Sequence, residues 1–106
     1  MAWLILVLAG FCEIIWATAL KMSQGFTRLW PSVIVFAVGV LSVVLLGRAA
    51  KHIPIGTAYA VWTGIGAVGT AAVGIFLFDE PRTAIRLACM VLIVAGIVGL
   101  KLVSPE

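Results

Sequence analysis

The sequence predicts an all-α polytopic membrane protein of four transmembrane helices, and three observations predict it. Hydrophobic residues make up 64% of the 106-residue chain and charged ones 10%, against roughly 45–50% and 25% in soluble domains. The apolar residues fall into four runs, each long enough at ~1.5 Å per helical residue to cross a hydrocarbon core of ~30 Å. Charged and polar residues gather in short connections between the runs, so little chain is left for an extramembrane domain. A bilayer interior has no water to satisfy the backbone, which makes helices the expected conformation of all four runs.

The first span runs from Ala2 to Leu20, contains no lysine or arginine, and carries Glu13 near its middle. A cleaved signal peptide is the plain alternative, because Ala17-Thr18-Ala19 resembles a cleavage site. No cation precedes the apolar stretch, Glu13 interrupts it and further apolar spans follow, so an uncleaved span is expected. A polar connection, Lys21 to Leu29, leads to Trp30-Pro31, where proline suits a first helical turn. The second span continues to Gly47. Arg48 to Pro54 breaks the pattern before a glycine-rich third run from Ile55 to Phe78, which the charged turn Asp79-Glu80-Pro81-Arg82-Thr83 ends. The fourth span covers Ala84 to Val103, with Arg86 and Lys101 near its ends, where they can snorkel. Trp3 and Trp30 sit near span ends and read as interfacial anchors.

The net charge of +3 is spread over loops and helix ends. It reads as membrane-flanking charge and argues against nucleic-acid binding. Lys21, Arg28, Arg82 and Arg86 lie on one side, and Arg48, Lys51 and Lys101 on the other. Four against three is almost no orientation signal. Insertion in both orientations, followed by pairing as an antiparallel dual-topology homodimer, is therefore expected; a single topology decided by His52 or by lipid is the alternative. Cys12 and Cys89 lie inside apolar runs without Cys-x-x-Cys or histidine spacing, so neither a metal site nor a disulfide is expected. No nucleophile stands beside a base, which argues against an enzyme, and nothing calls for a cofactor.

Glu13 carries the chemistry. A charge at the centre of a membrane helix costs ~3 kcal/mol on insertion scales, so an intramembrane carboxylate marks an ion, proton or substrate site. Leu6, Ala9, Gly10, Trp16, Ala17 and Leu20 share its helical face. Small residues there allow either close packing or room for a ligand. Trp16 lies one turn past Glu13, too deep for an interfacial belt, and its indole N–H can donate to the carboxylate or to a carbonyl. In the third span Tyr59, Trp62, Thr63, Gly66 and Thr70 share a face, setting two polar-tipped aromatic rings beside hydroxyls. Aromatic faces attract cations, although such a stripe also serves as core. Tyr59, Trp62 and Ser42 are among the few mid-membrane groups able to satisfy Glu13.

Gly64-Ile65-Gly66-Ala67-Val68-Gly69 matches the dinucleotide-binding Gly-x-Gly-x-x-Gly. Here it interrupts one apolar run, with no strand before it, so it is not that motif. A helix bend at Gly64 to Gly66 is expected instead. Ala95-x-x-x-Gly99 is a small-residue pair and a candidate dimer contact.

Taken together, Glu13, the first connection Gly25-Phe26-Thr27-Arg28-Leu29-Trp30-Pro31-Ser32 and the run Pro54-Ile55-Gly56-Thr57-Ala58-Tyr59-Ala60-Val61-Trp62-Thr63-Gly64-Ile65-Gly66 make the chain resemble the small multidrug resistance family of bacterial proton-coupled exporters, over essentially its full length. The resemblance implies an antiparallel homodimer in the inner membrane. Two Glu13 carboxylates would share one substrate site lined by the first three helices, and the fourth helix would hold the dimer. Gly10-x-x-Glu13-x-x-Trp16, Ser42 and Ala58-Tyr59-Ala60-Val61-Trp62-Thr63-Gly64 resemble the guanidinium-exporting subtype. On that reading Trp16 and Ser42 are expected to fix Glu13 by hydrogen bonds, with Tyr59 orienting it or acting as a gate. Two other readings stay open: a polyspecific exporter of quaternary ammonium or aromatic cations, and a non-transporting helical partner of a larger complex.

Overall fold

In the computed structural model, which describes residues 1–103, four α-helices follow one another: α1 (Ala2–Met22), α2 (Leu29–Ala49), α3 (Ile55–Leu77) and α4 (Ala84–Val103). All four are long and apolar enough to cross a membrane. α1 lies between α2 and α3, whose backbones scarcely approach each other, while the backbone of α4 comes close only to that of α3. The molecule is accordingly flat, 43 × 34 × 17 Å. A layer about one helix thick leaves most large side chains on one of its two faces, a cheap arrangement where the surroundings are as apolar as leucine.

The conventional core is small and sits at one end. Ala2 and Leu6 of α1, Ala49 at the end of α2, Ile53 in the second loop, and Ala58 and Val61 of α3 form one buried cluster. Ile53, only 2% exposed, folds the second loop under the helices. Beyond this cluster α1 and α3 are joined by side chains seated on glycines. A Cβ on Gly10 would come within 2.6 Å of Ile65 Cγ2, a Cβ on Gly66 would collide with the Glu13 carboxylate, and one on Gly69 would collide with Ile14. The positions Gly10, Glu13 and Ile14 recur at helical spacing, so they present one continuous face of α1 to α3.

The first loop is tightly built. Ser23 is fully buried; its Oγ donates to the Leu20 carbonyl at 2.6 Å and accepts the Phe26 N–H at 3.1 Å. Its carbonyl accepts from Thr27 N at 2.9 Å and Arg28 N at 3.1 Å. Gln24, Gly25 and Phe26 are all left-handed, at φ of 51°, 74° and 67°. Such a conformation is costly outside glycine, and the Ser23 bonds together with the Phe26–Phe36 ring contact at 5.7 Å hold it.

The third connection is ordered by ions. Glu80 accepts from Arg86 Nη2 at 2.8 Å and lies 3.7 Å from Lys21 Nζ at the end of α1. Arg86 Nη1 also donates to the Pro81 carbonyl at 2.8 Å. Arg86 thus bridges the turn to Glu80 and the Pro81 carbonyl, a role its place near a span end did not indicate. Trp3, read from the sequence as an interfacial anchor, also packs against the buried cluster. Lys101 of α4 stands 4.8 Å above its ring, so the tryptophan ties α4 to the start of α1.

Candidate functional site

Glu13 is the only acidic residue in any of the four helices. Its carboxylate is half-buried and rests on the α3 backbone at Gly66, where any side chain would displace it. Gly10, one turn earlier, lets Ile65 close that interface from the other side.

A chain of hydrogen bonds crosses the three helices beside it. Trp62 Nε1 of α3 donates to Ser42 Oγ of α2 at 2.9 Å, and Ser42 Oγ donates to the Ala9 carbonyl of α1 at 2.8 Å. Ala9 stands four residues before Glu13, so by the α-helical pattern its carbonyl also accepts the Glu13 backbone N–H. The fully buried Ser42 therefore braces the helical turn that carries the carboxylate. This corrects the expectation that Ser42 bonds Glu13 directly. A hydroxyl has one hydrogen to donate, and in Ser42 the Ala9 carbonyl takes it.

Trp16 differs from expectation in a related way. Its ring lies toward α2 at Gly39 and lines an apolar groove of about 420 Å³ with Val35, Phe36, Val40, Val43 and Val44. Its Nε1 is buried without a partner, and so is Glu13 Oε2. The indole–carboxylate bond is not made in this form, although both ends of it are unengaged. Tyr59 is 56% exposed, with its ring 5.7 Å from that of Trp62. Thr63 is exposed on α3. The structure thus gathers Gly10, Glu13, Ser42, Trp62 and Gly66, places Tyr59 at their edge through Trp62, and leaves Thr63 on an open face.

Of the two glycines expected to bend α3, Gly66 seats Glu13, and Gly64 seats Ile97 of α4 at 2.9 Å from an added Cβ. The helix is continuous through both from Ile55 to Leu77. Ala95 and Gly99 are exposed on α4, which buries no residue within the chain. Among the described residues no group of His, Cys, Asp and Glu is arranged to hold a metal ion.

Three features escaped the sequence reading. The carbonyl of Ala9 has no signature, because every residue carries one. Gly69 as the seat of Ile14 was hidden among many glycines. The Lys21–Glu80–Arg86 cluster joins residues from two distant connections, and only the acid beside the cations in the third turn hinted at it.

Comparison with known proteins places the chain in a family. Over residues 1–93 the chain matches the family described as Small Multidrug Resistance protein. The guanidinium exporter of Yersinia pestis is 58% identical over 104 residues, covering 98% of this chain and 100% of that protein. The guanidinium exporter of Escherichia coli K12 is 56% identical over 102 residues, covering 96% and 97%. That of Citrobacter freundii is 53% identical over the same length and shares. Four apolar helices and exporters as relatives make this a multi-pass protein of the bacterial inner membrane. With one family matched along most of its length and its single intramembrane acid braced by three helices, the chain belongs to the small multidrug resistance family.

Proposed function

We propose that the protein is a proton-coupled antiporter that exports guanidinium ion and small substituted guanidiniums, working as an antiparallel homodimer surrounded by lipid. One observation carries the reading: the sole acidic residue of the four helices lies on the face where α1, α2 and α3 are cross-braced by Trp62, Ser42 and the Ala9 carbonyl. The names of the relatives point to the same substrate.

Guanidinium is planar and carries its N–H donors in a fixed fork, so a carboxylate can take two of them at once. An ammonium without N–H groups has no such geometry to offer. Discrimination then requires a carboxylate held in one orientation, and the seat on Gly66 with the brace at Ala9 supports that. The substrate stays charged at all physiological pH, so the exchanged proton comes from the protein, and Glu13 is the one central candidate. Proton and guanidinium exclude each other there. The empty carboxylate carries an uncompensated charge, whereas either ligand neutralises it, so the loaded forms change sides and the empty one stays. Inward proton flow then drives export.

In the dimer, two Glu13 carboxylates form one site. The exposed edge of α3, with Tyr59 and Thr63, faces the second copy, and Tyr59 with Trp62 lines the entrance. Unequal bending at Gly64 and Gly66 makes the two copies open to opposite sides, and Ala95 and Gly99 of α4 form the contact between them.

The test is a current measurement on purified protein in liposomes adsorbed to a solid support, with guanidinium, methylguanidinium and tetraalkylammonium ions in turn. Guanidinium and methylguanidinium give proton-coupled currents and tetraalkylammonium ions give none. Glu13→Gln abolishes the currents, and Glu13→Asp keeps part of them with a shifted pH profile. Currents from tetraalkylammonium without any from guanidinium, or undiminished coupled transport by the glutamine variant, would overturn the proposal.

A further inference from the structure

Thr70 stands outside the hydrogen bonds that brace the turn of Glu13. A threonine inside a helix can satisfy its hydroxyl by donating back to the carbonyl four residues earlier, and Thr18 of α1 does so, bonding the Ile14 carbonyl at 2.8 Å. Thr70 of α3 does not. Its Oγ1 is buried and has no partner, although leaving a buried hydroxyl unpaired is unfavourable.

Its place in the fold supplies the reason. Thr70 lies one turn beyond Gly66, the seat of Glu13, and next to Gly69, the seat of Ile14. Helical side chains lean toward the N-terminus of their helix, so Thr70 leans onto the turn whose surface carries the Glu13 carboxylate. Glu13 Oε2 is likewise buried and unpartnered. An ionised carboxylate in such surroundings requires donors. Ser42 gives its hydrogen to Ala9 and Trp62 gives its own to Ser42. Among the described residues, the buried side-chain donors left without an acceptor are Trp3, at the far end of α1, Trp16, whose ring is turned to α2, and Thr70, which stands on the helix where the carboxylate rests.

We infer that Thr70 is a positioning residue for Glu13: its hydroxyl donates to the carboxylate in the empty, ionised form and loses that bond when Glu13 takes a proton or a guanidinium ion. The inference rests on the reading of Glu13 as the shared site. It gives α3 a direct sense of whether α1 is loaded, since the bond linking the two helices exists in one state and not in the others. Within one copy Glu13 is free of competing charges, so the charge it meets in the proposed dimer is that of the second Glu13. The middle turns of α1, α2 and α3 carry no other Asp, Glu, Lys, Arg or His; Cys12 adjoins Glu13 on α1, Tyr59 lies at the edge on α3, and Lys21 at the end of α1 is engaged with Glu80.

The sign of the effect separates this role from an ordinary packing role. A bond made only in the empty form stabilises that form, so both ligands bind more weakly because of it. Removing the hydroxyl must tighten both. In liposomes, Thr70→Val is expected to lower the guanidinium KM about tenfold, the order expected for one hydrogen bond to a charged group. In the absence of guanidinium, the carboxyl carbon NMR signal of Glu13 is expected to titrate about one pH unit higher, the same tenfold. Thr70→Ser keeps the hydroxyl and stays near wild type in both measurements. Weaker or unchanged binding of either ligand in Thr70→Val, or a serine variant that behaves like valine, overturns the inference. Should the valine variant fail to fold, Thr70→Ala is read by the same two measurements. If the wild type carries no guanidinium, the functional reading fails while the NMR titration still decides the Thr70 bond.

Discussion

Glycine does opposite things in α3 and in α4. In α3, Gly64, Gly66 and Gly69 are filled from within the chain, by Ile97, Glu13 and Ile14 respectively, so closely that a methyl group at any of them would collide. In α4, a Cβ added to Gly96 or Gly99 would meet nothing, and the helix buries none of its residues. Exposed leucine or valine needs no explanation in a bilayer, because lipid is as apolar as another helix. Exposed small residues are a different matter, since their value is that something can come close to them. The contrast separates an interface complete in one copy, where α1 and α4 fill the glycines Gly64, Gly66 and Gly69 of α3, from glycine positions that one copy leaves open.

Adding one methyl to each kind of glycine is the strongest way to break this contrast. Gly66→Ala drives a carbon into the Glu13 carboxylate, and overpacking of this sort costs about 1–3 kcal/mol. Here the group displaced is the one proposed to bind the ligand, so guanidinium transport is expected to fall at least about tenfold, while the protein still inserts and purifies. Gly47→Ala in α2, where the added carbon meets nothing within the chain, is expected to transport like wild type. Equal losses in the two variants, measured as initial currents at matched protein density, would remove the distinction.

Much of this was legible in the sequence, and the reason differs from residue to residue. Four spans were readable because apolar length is a one-dimensional property, and Glu13 because an acid in such a run has no neutral explanation. Ser42 and Trp62 were readable as polar groups at the right depth, but their connectivity was not. Which acceptor Ser42 takes depends on the rotation of α2 against α1, and the chosen acceptor is the backbone of Ala9, invisible to any side-chain pattern. The neighbours of Trp3 were not readable, because depth along a span says nothing about which residue covers it; it is packed under Lys101. Gly64 and Gly66 were noticed for the flexibility of glycine, and the structure adds a packing use that depends on Ile97 and Glu13 arriving from other helices.

The open part of the contrast has its own test, of smaller expected effect. If Ala95 and Gly99 are where two copies meet, Gly99→Leu fills the approach and weakens self-association in detergent about tenfold, whereas Leu102→Ala, close by but already projecting and 79% exposed, changes it little. Sedimentation or crosslinking over a dilution series measures both. Site integrity within one copy is expected to survive, so a Gly99→Leu variant that loses the Trp62–Ser42 bond, followed by the indole N–H NMR signal, would show that the open glycines of α4 matter to the complete part as well.

The smallest expected effect concerns the rim of the complete part, where Glu80 joins the end of α1 to the turn before α4. The Arg86 guanidinium, hydrogen-bonded to Glu80 and with Lys21 nearby, holds its carboxyl below the usual carboxylate range. A group whose folded-state value is depressed adds stability that is present above its ordinary value, ~4.3, and is lost only as the pH falls through the lower one. The cluster is therefore fully charged, and its contribution constant, around neutral pH. Exposure to water further limits its worth. Glu80→Gln is expected to lower the melting temperature slightly at neutral pH, with that difference from wild type vanishing in strong acid. The pH profile of transport around neutrality should keep its shape, because under the proposed mechanism the proton exchanged belongs to Glu13, while Glu80, held below the usual carboxylate range, does not titrate there. A displaced profile in Glu80→Gln would mean that the rim takes part in proton exchange, and that the boundary between the complete part of the chain and its open edge lies elsewhere.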